Sequence, residues 1–110
     1  VAEGLKWLER AAASGDAEAG RYAQMADARR EAMNRHLWNA ADGYFADYDI
    51  DGGAIRSPLT AASLAPLLVG AATQAQADAT AEAVEKRLLA PGGLNTTLAR
   101  SGQQWDRPNG

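Results

Sequence analysis

Four consecutive residues near the end of the chain, Gln103, Gln104, Trp105 and Asp106, carry the densest chemistry in the sequence. Two planar amides, an indole and a carboxylate combine hydrogen-bonding groups with one flat apolar face. A carbohydrate presents both hydroxyls and apolar C–H surfaces, so this combination fits the rim of a sugar-binding cleft. The candidate contacts are Trp105, stacking on a sugar ring, and Gln104 and Asp106, which hydrogen-bond hydroxyls or orient Trp105. Each has a plainer alternative. Trp105 can be a packed indole with its N–H satisfied, and Gln104 and Asp106 can be loop scaffolding, Asp106 standing two residues before Pro108 as a turn former. Upstream, Pro91-Gly92-Gly93-Leu94-Asn95-Thr96-Thr97 ends a helix and adds polar side chains. Asn and Thr in such a position mostly satisfy backbone groups.

The other chemistry-bearing residues are weaker candidates. Asp47, Asp49 and Asp51 alternate before Gly52 in the manner of a calcium loop, but that loop needs a Glu six residues after its Gly, where Pro58 stands. A hairpin with solvated carboxylates is the better reading. The lone histidine, His36, falls near a helix C-terminus, where packing or capping is expected. No metal or organic cofactor is implied. The chain contains no cysteine, which excludes disulfides and thiolate chemistry.

These residues sit in a 110-residue chain with net charge −3, its 11 basic residues interspersed among 14 acidic ones. There is no basic stripe, so nucleic acid is not an expected partner. No apolar run approaches the ~20 residues of a membrane span; the longest, over 64–72, contains Pro66. Much of the apolar content is alanine, which favours helix but buries little area. The core expected from it is thin, as for part of a larger protein packing against the remainder.

The elements that position the candidates read as roughly four helices in antiparallel pairs. Val1, Leu5 and Leu8 share one face of a first helix that ends near Ser14-Gly15, and Ser14 or Asp16 can cap the next. Tyr22, Ala26, Met33 and Leu37 mark the second, over 17–38, with Arg21, Asp27, Arg30 and Glu31 on its opposite face. Asp42-Gly43 breaks it. A hairpin-like excursion follows, 44–50 returning at 54–56 around Asp51-Gly52-Gly53. Trp38, Tyr44, Phe45 and Tyr48 read as packing between helices, and Arg29-Arg30 as a solvated face. Leu59, Leu64, Leu67, Leu68 and Val69 predict a third helix, apolar on most sides and therefore buried. Thr73 and Gln76 form a capping box for the fourth, which ends at Pro91-Gly92-Gly93.

With these segments in hand, the chain from about Tyr22 onward resembles the trehalase family. Ser101-Gly102-Gln103-Gln104-Trp105-Asp106-Arg107-Pro108-Asn109-Gly110, following Pro91 to Thr97, is similar to a signature whose Gln-Trp-Asp-x-Pro-x-Gly part normally continues into Trp-Ala-Pro. Leu37-Trp38-Asn39, Gly43-Tyr44-Phe45-Ala46-Asp47-Tyr48-Asp49 and Leu59-Thr60-Ala61-Ala62 resemble further family segments in the same order. The resemblance implies an all-α fold, with residues 1–110 a partial (α/α)6 barrel and 91–110 an active-site loop segment cut short at its C-terminal end. It implies hydrolysis of α,α-trehalose to two glucose molecules with inversion, by an acid and a base roughly 6.5–9.5 Å apart. In the family the acid is an Asp upstream of this segment and the base a Glu downstream. The segment therefore holds no catalytic residue, is expected to be inactive alone, and has trehalose and the rest of the barrel as partners. Family members are periplasmic or cytoplasmic, with the resemblance leaning to the periplasm.

Two other readings stand beside this one. The stretch over 7–19 looks like an α-hairpin repeat of the kind that binds proteins, although such repeats recur at ~34-residue periods and no second copy is present. An (α/α)6 glycosidase acting on another α-glucoside is the other.

Overall fold

The computed structural model describes residues 2–15 and 17–106. Val1, Asp16 and the Arg107-Pro108-Asn109-Gly110 end of the signature lie outside the described residues. The order is α1 (Ala2–Ala13), α2 (Ala19–Leu37), β1 (Trp38–Asn39), β2 (Tyr44–Phe45), β3 (Tyr48–Asp49), β4 (Ala54–Ile55), a 3₁₀ turn (Ala61–Leu64), α3 (Ala65–Leu68), α4 (Gln74–Arg87), β5 (Leu89–Ala90) and β6 (Gly93–Leu94). The strands form three separate antiparallel pairs, β1 with β2, β3 with β4 and β5 with β6.

The first two helices form the expected α-hairpin. Ala2 at the start of α1 shares a groove with Met33 and Leu37 at the end of α2, and Leu8 shares another with Met25, so the helices run antiparallel. Leu5, Ala26, Met33 and Ala71 are buried together between them. Arg30 is not simply solvated. Half-buried, it donates to Glu9 on α1 and to Asp27 one turn away. Ser14 does not cap α2. Its hydroxyl donates to the Ala11 carbonyl at the end of α1, and the N-cap position of α2 is Glu18, which makes no side-chain cap hydrogen bond.

Four α-helices are present among the described residues, as expected, but beyond α2 their lengths and pairing differ from the expectation. The helix ends at Leu37, and Asp42-Gly43 is the turn of a hairpin rather than a plain helix break. Trp38 pairs with Phe45 and Asn39 with Tyr44. Asn39 organises the turn: its Oδ1 accepts from the Ala41 and Asp42 N–H groups, and its Nδ2 donates to Asp42. Gly43 has φ +77°, a conformation costly for a residue with a Cβ. The anticipated second hairpin is present, Tyr48 pairing with Ile55 and Asp49 with Ala54. Asp49 accepts from the Gly52 N–H there, so this carboxylate is turn scaffolding.

The third helix is much shorter than its apolar pattern predicts. Thr60 is extended (φ −132°, ψ 164°) because it pairs with Thr97 instead of starting a helix. A 3₁₀ turn and the single turn of α3 follow. Pro66, which lacks an N–H, falls where α3 starts. Leu68 is 77% exposed, so this segment is not buried on all sides. Accordingly the second helical pair is absent: α4 packs on β2 and the 3₁₀ turn. Tyr44, Leu59, Val84 and Leu88 make up this second buried cluster.

The Thr73 capping box at the start of α4 forms as expected, with the Thr73 side chain accepting from the Gln76 N–H and the Gln76 side chain accepting from the Thr73 N–H. The helix ends at Arg87, short of Pro91. There the chain turns into the β5–β6 hairpin, Leu89 opposite Leu94, with Pro91-Gly92 at its tip.

Candidate functional site

The three family-like segments, far apart in sequence, are tied together by hydrogen bonds to backbone groups. The Ala46 N–H donates to the Leu37 carbonyl, joining the end of α2 to the chain after β2. The Tyr44 hydroxyl donates to the Ser57 carbonyl just before Leu59. The Ala61 N–H donates to the Thr96 carbonyl beside the Thr60–Thr97 bridge, stitching the chain after α4 onto the segment before the 3₁₀ turn. Asn95 anchors the same region: its N–H and its Nδ2 both donate to the Leu88 carbonyl, which terminates α4. Asn95 thus satisfies backbone, as its type and position suggest. Thr97 does likewise, accepting from the Ala99 N–H.

From that anchor the chain runs into the loop carrying the sequence-predicted candidates. Asp106 closes it. One carboxylate oxygen, Oδ2, accepts from the Ser101 N–H at 2.7 Å and the Gly102 N–H at 2.6 Å. Oδ1 accepts from the Ser101 hydroxyl at 3.1 Å. Two successive backbone N–H groups converging on one oxygen make a small anion nest. Gly102, at φ +76°, has the backbone conformation for which Gly is the default residue. The Asp106 N–H donates back to the Gln103 carbonyl at 3.1 Å, and the Ser101 hydroxyl also accepts from the Gln103 N–H.

Burial acts on the Asp106 carboxyl to raise its pKa. The donors from Gly102 and Ser101 and the positive charge of Arg100 outweigh it, so the group sits below its ordinary value of 3.8. Asp106 is therefore held ionised, the opposite of what a general acid near neutral pH needs.

A cavity of about 430 Å³ adjoins this loop, walled by Asn95, Thr97, Leu98, Ala99, Arg100 and Asp106. Trp105, next to Asp106 in the chain, is 54% exposed, and Gln103 and Gln104 are exposed as well. Trp105, Gln104 and Asp106 thus share one tight turn, of which Asp106 lines the cavity. The sequence reading placed Ser101 and Gly102, five and four residues before Asp106, in the family-like segment but gave them no role. It also gave none to Thr60, which holds the loop's base, or to Arg100.

The remaining aromatic candidates make ring contacts, those of Trp38 and Phe45 across the β1–β2 pair and not between helices. Trp38 meets Phe45 edge-on with ring centroids 5.0 Å apart, and His36 meets Tyr48 edge-on at 5.3 Å. The Arg87 guanidinium lies 5.4 Å from the Tyr44 ring centroid. Among the described residues, no three His, Cys, Asp or Glu side chains cluster as metal ligands, and no helix is long and apolar enough to cross a membrane.

The family model described as Trehalase matches residues 5–110. The chain belongs to the trehalase family. The match starts well before Tyr22 and takes in the hairpin over 7–19, which is therefore part of the trehalase sequence pattern and not a copy of a separate repeat. The chain is 53% identical to a periplasmic trehalase of Salmonella newport over 107 residues, covering 96% of this chain and 19% of that protein. It is 50% identical to a periplasmic trehalase of Citrobacter koseri over the same coverage. The chain thus spans about a fifth of the length of these curated trehalases. Its fold is similar to that of the neutral trehalase Nth1 from Saccharomyces cerevisiae, with a TM-score of 0.71 at 27% identity, over 82% of this chain and 18% of that one.

Proposed function

We propose that this chain is a segment of a glycoside hydrolase that cleaves α,α-trehalose to two glucose molecules with inversion. The observation that carries the proposal is the family match across residues 5–110, which spans the loop on which Trp105 and Gln104 stand exposed. Within that reading, Trp105 supplies an apolar face for a glucose ring, Gln104 hydrogen-bonds its hydroxyls, and Asp106 completes the substrate-binding loop. Residues 91–110 form an active-site loop segment of one partial (α/α)6 domain, and the α1–α2 hairpin supplies barrel helices. The relatives' names support a periplasmic setting.

The acid and base of the reaction lie outside this segment. Among the described residues Asp106 is the only carboxylate in the wall of the cavity, and its depressed pKa and engaged oxygens suit neither role. An inverting mechanism needs a carboxylic acid on the glycosidic oxygen and, across the sugar, a carboxylate activating water.

Proton NMR of the first products, from a full-length protein carrying this segment, tests the reading. Inversion at one anomeric carbon releases one β-glucose and leaves the other glucose α, so the two anomeric signals grow equally before mutarotation. Two α-glucoses at early times contradict inversion. No glucose from trehalose, with release from another α-glucoside, moves the substrate elsewhere in the glycosidases.

A further inference from the structure

We infer that Asp106 is a positioning residue: it acts on substrate through Trp105 and Gln104 by locking the 101–106 loop, and not by its own contact with a sugar hydroxyl. The inference rests on the reading of this loop as substrate-binding, and it divides the labour among three neighbouring residues.

The hydrogen-bond geometry carries it. A carboxylate has about four acceptor positions. Three are used within the loop, by the Ser101 N–H, the Gly102 N–H and the Ser101 hydroxyl. Donors to an ionised acceptor are stronger than neutral ones, so Ser101 and Gly102 are pinned to a residue four and five positions away. The backbone link from Asp106 to the Gln103 carbonyl closes the turn from the other side. Between these two fixed ends stand Gln104 and Trp105, whose side chains are exposed and whose backbone course is set by the closure. A sugar hydroxyl competing for Asp106 meets a carboxylate with most of its capacity engaged. One meeting Trp105 or Gln104 finds side chains presented outward. Holding a planar stacking group in place matters because a misplacement of ~1 Å costs on the order of 100-fold in rate.

A double-mutant cycle in a full-length protein carrying this segment is the test, with trehalose hydrolysis as one readout. Asp106→Ala is expected to lower kcat/KM by about tenfold or more, and Trp105→Ala by a similar factor. Because the first acts through the second, Asp106→Ala in the Trp105→Ala background should cost no more than about threefold. Asp106→Asn keeps the shape and one acceptor oxygen for the paired N–H groups, and should retain activity to within about fivefold of wild type. Multiplying single-variant effects, or an Asp106→Asn loss as deep as that of Asp106→Ala, would overturn the inference in favour of a direct charged contact.

The second readout does not need activity. With 5-fluorotryptophan incorporated, the 19F signal that vanishes in Trp105→Phe identifies residue 105. It should shift or broaden in Asp106→Ala, and do so to a smaller extent in Asp106→Asn, which loses the charge but keeps one acceptor oxygen. An unchanged signal in Asp106→Ala refutes the lock whatever the protein hydrolyses. A wild-type protein inert toward trehalose but showing the 19F response refutes only the substrate assignment.

Discussion

At the scale of single residues, Asp106 shows what a residue's type can and cannot disclose. A carboxylate beside an indole and two amides was legible as a candidate sugar contact. Its engagement by Ser101 and Gly102 was not, because those bonds depend on a left-handed turn at Gly102 that closes the loop on itself. The pH dependence follows from the same bonds. The folded pKa of Asp106 is depressed, so the contribution of its ionised form to loop order is present above the unfolded value. That contribution is lost as pH falls through the lower, folded value. The 19F signal of Trp105 is therefore expected to hold its position from neutral pH down through the ordinary carboxylate range near 4. It should change only below that range. A transition centred near pH 4 or above would mean that the Ser101 and Gly102 donors do not stabilise the carboxylate.

At the scale of elements, the legible parts are those fixed by local chemistry, and the illegible ones those fixed by distant partners. The α4 cap was readable because a Thr and a Gln three residues apart satisfy each other's backbone groups without outside help. The α1–α2 hairpin was readable from its apolar spacing. The 59–69 segment looked helical by the same criterion, yet Thr60 is drawn into extended pairing with Thr97, 37 positions on, and the remaining helix is one turn between Pro66 at its start and Gly70, at φ +67°, just past its end. Likewise the strands following α2 and α4 are two residues long, too short for any alternation to announce them. The local origin of the α4 cap makes a local prediction. Thr73→Ala removes the acceptor for the Gln76 N–H at a cost of about 1 kcal/mol. Hydrogen exchange at the Gln76 amide is expected to speed up roughly fivefold, with Val84, at the far end of the helix, unaffected. Equal acceleration along α4 would show that the cap supports the whole helix and not its first turn.

At the scale of the whole molecule, the 110 residues are arranged openly. The radius of gyration is 15.8 Å, against about 13 Å for a compact chain of this length. The accessible surface of 7306 Å² exceeds the roughly 5,800 Å² expected of a compact 11.6 kDa monomer. Burial is split between two small clusters, one in the α1–α2 hairpin and one under α4, instead of a single core. Trp7, Ile50 and Leu68 are each more than 60% exposed. An apolar groove of about 890 Å³ runs between α2, the β2–β3 region and the 3₁₀ turn, lined by Met33, Leu37, Phe45 and Pro66 among others. Surface of this kind is costly to leave in water, at about 25 cal/mol per Å² of apolar area. The 110 residues expressed alone are therefore expected to bind a hydrophobic dye such as ANS and to sediment as a concentration-dependent mixture of species. Incubated with trehalose, they should release no glucose above a blank, since the carboxylates proposed for the chemistry are not among them. A monomer that ignores the dye would mean that the two clusters suffice and the exposed apolar faces are tolerated in water. Glucose release by such a monomer would require the acid and the base to be found among its own carboxylates.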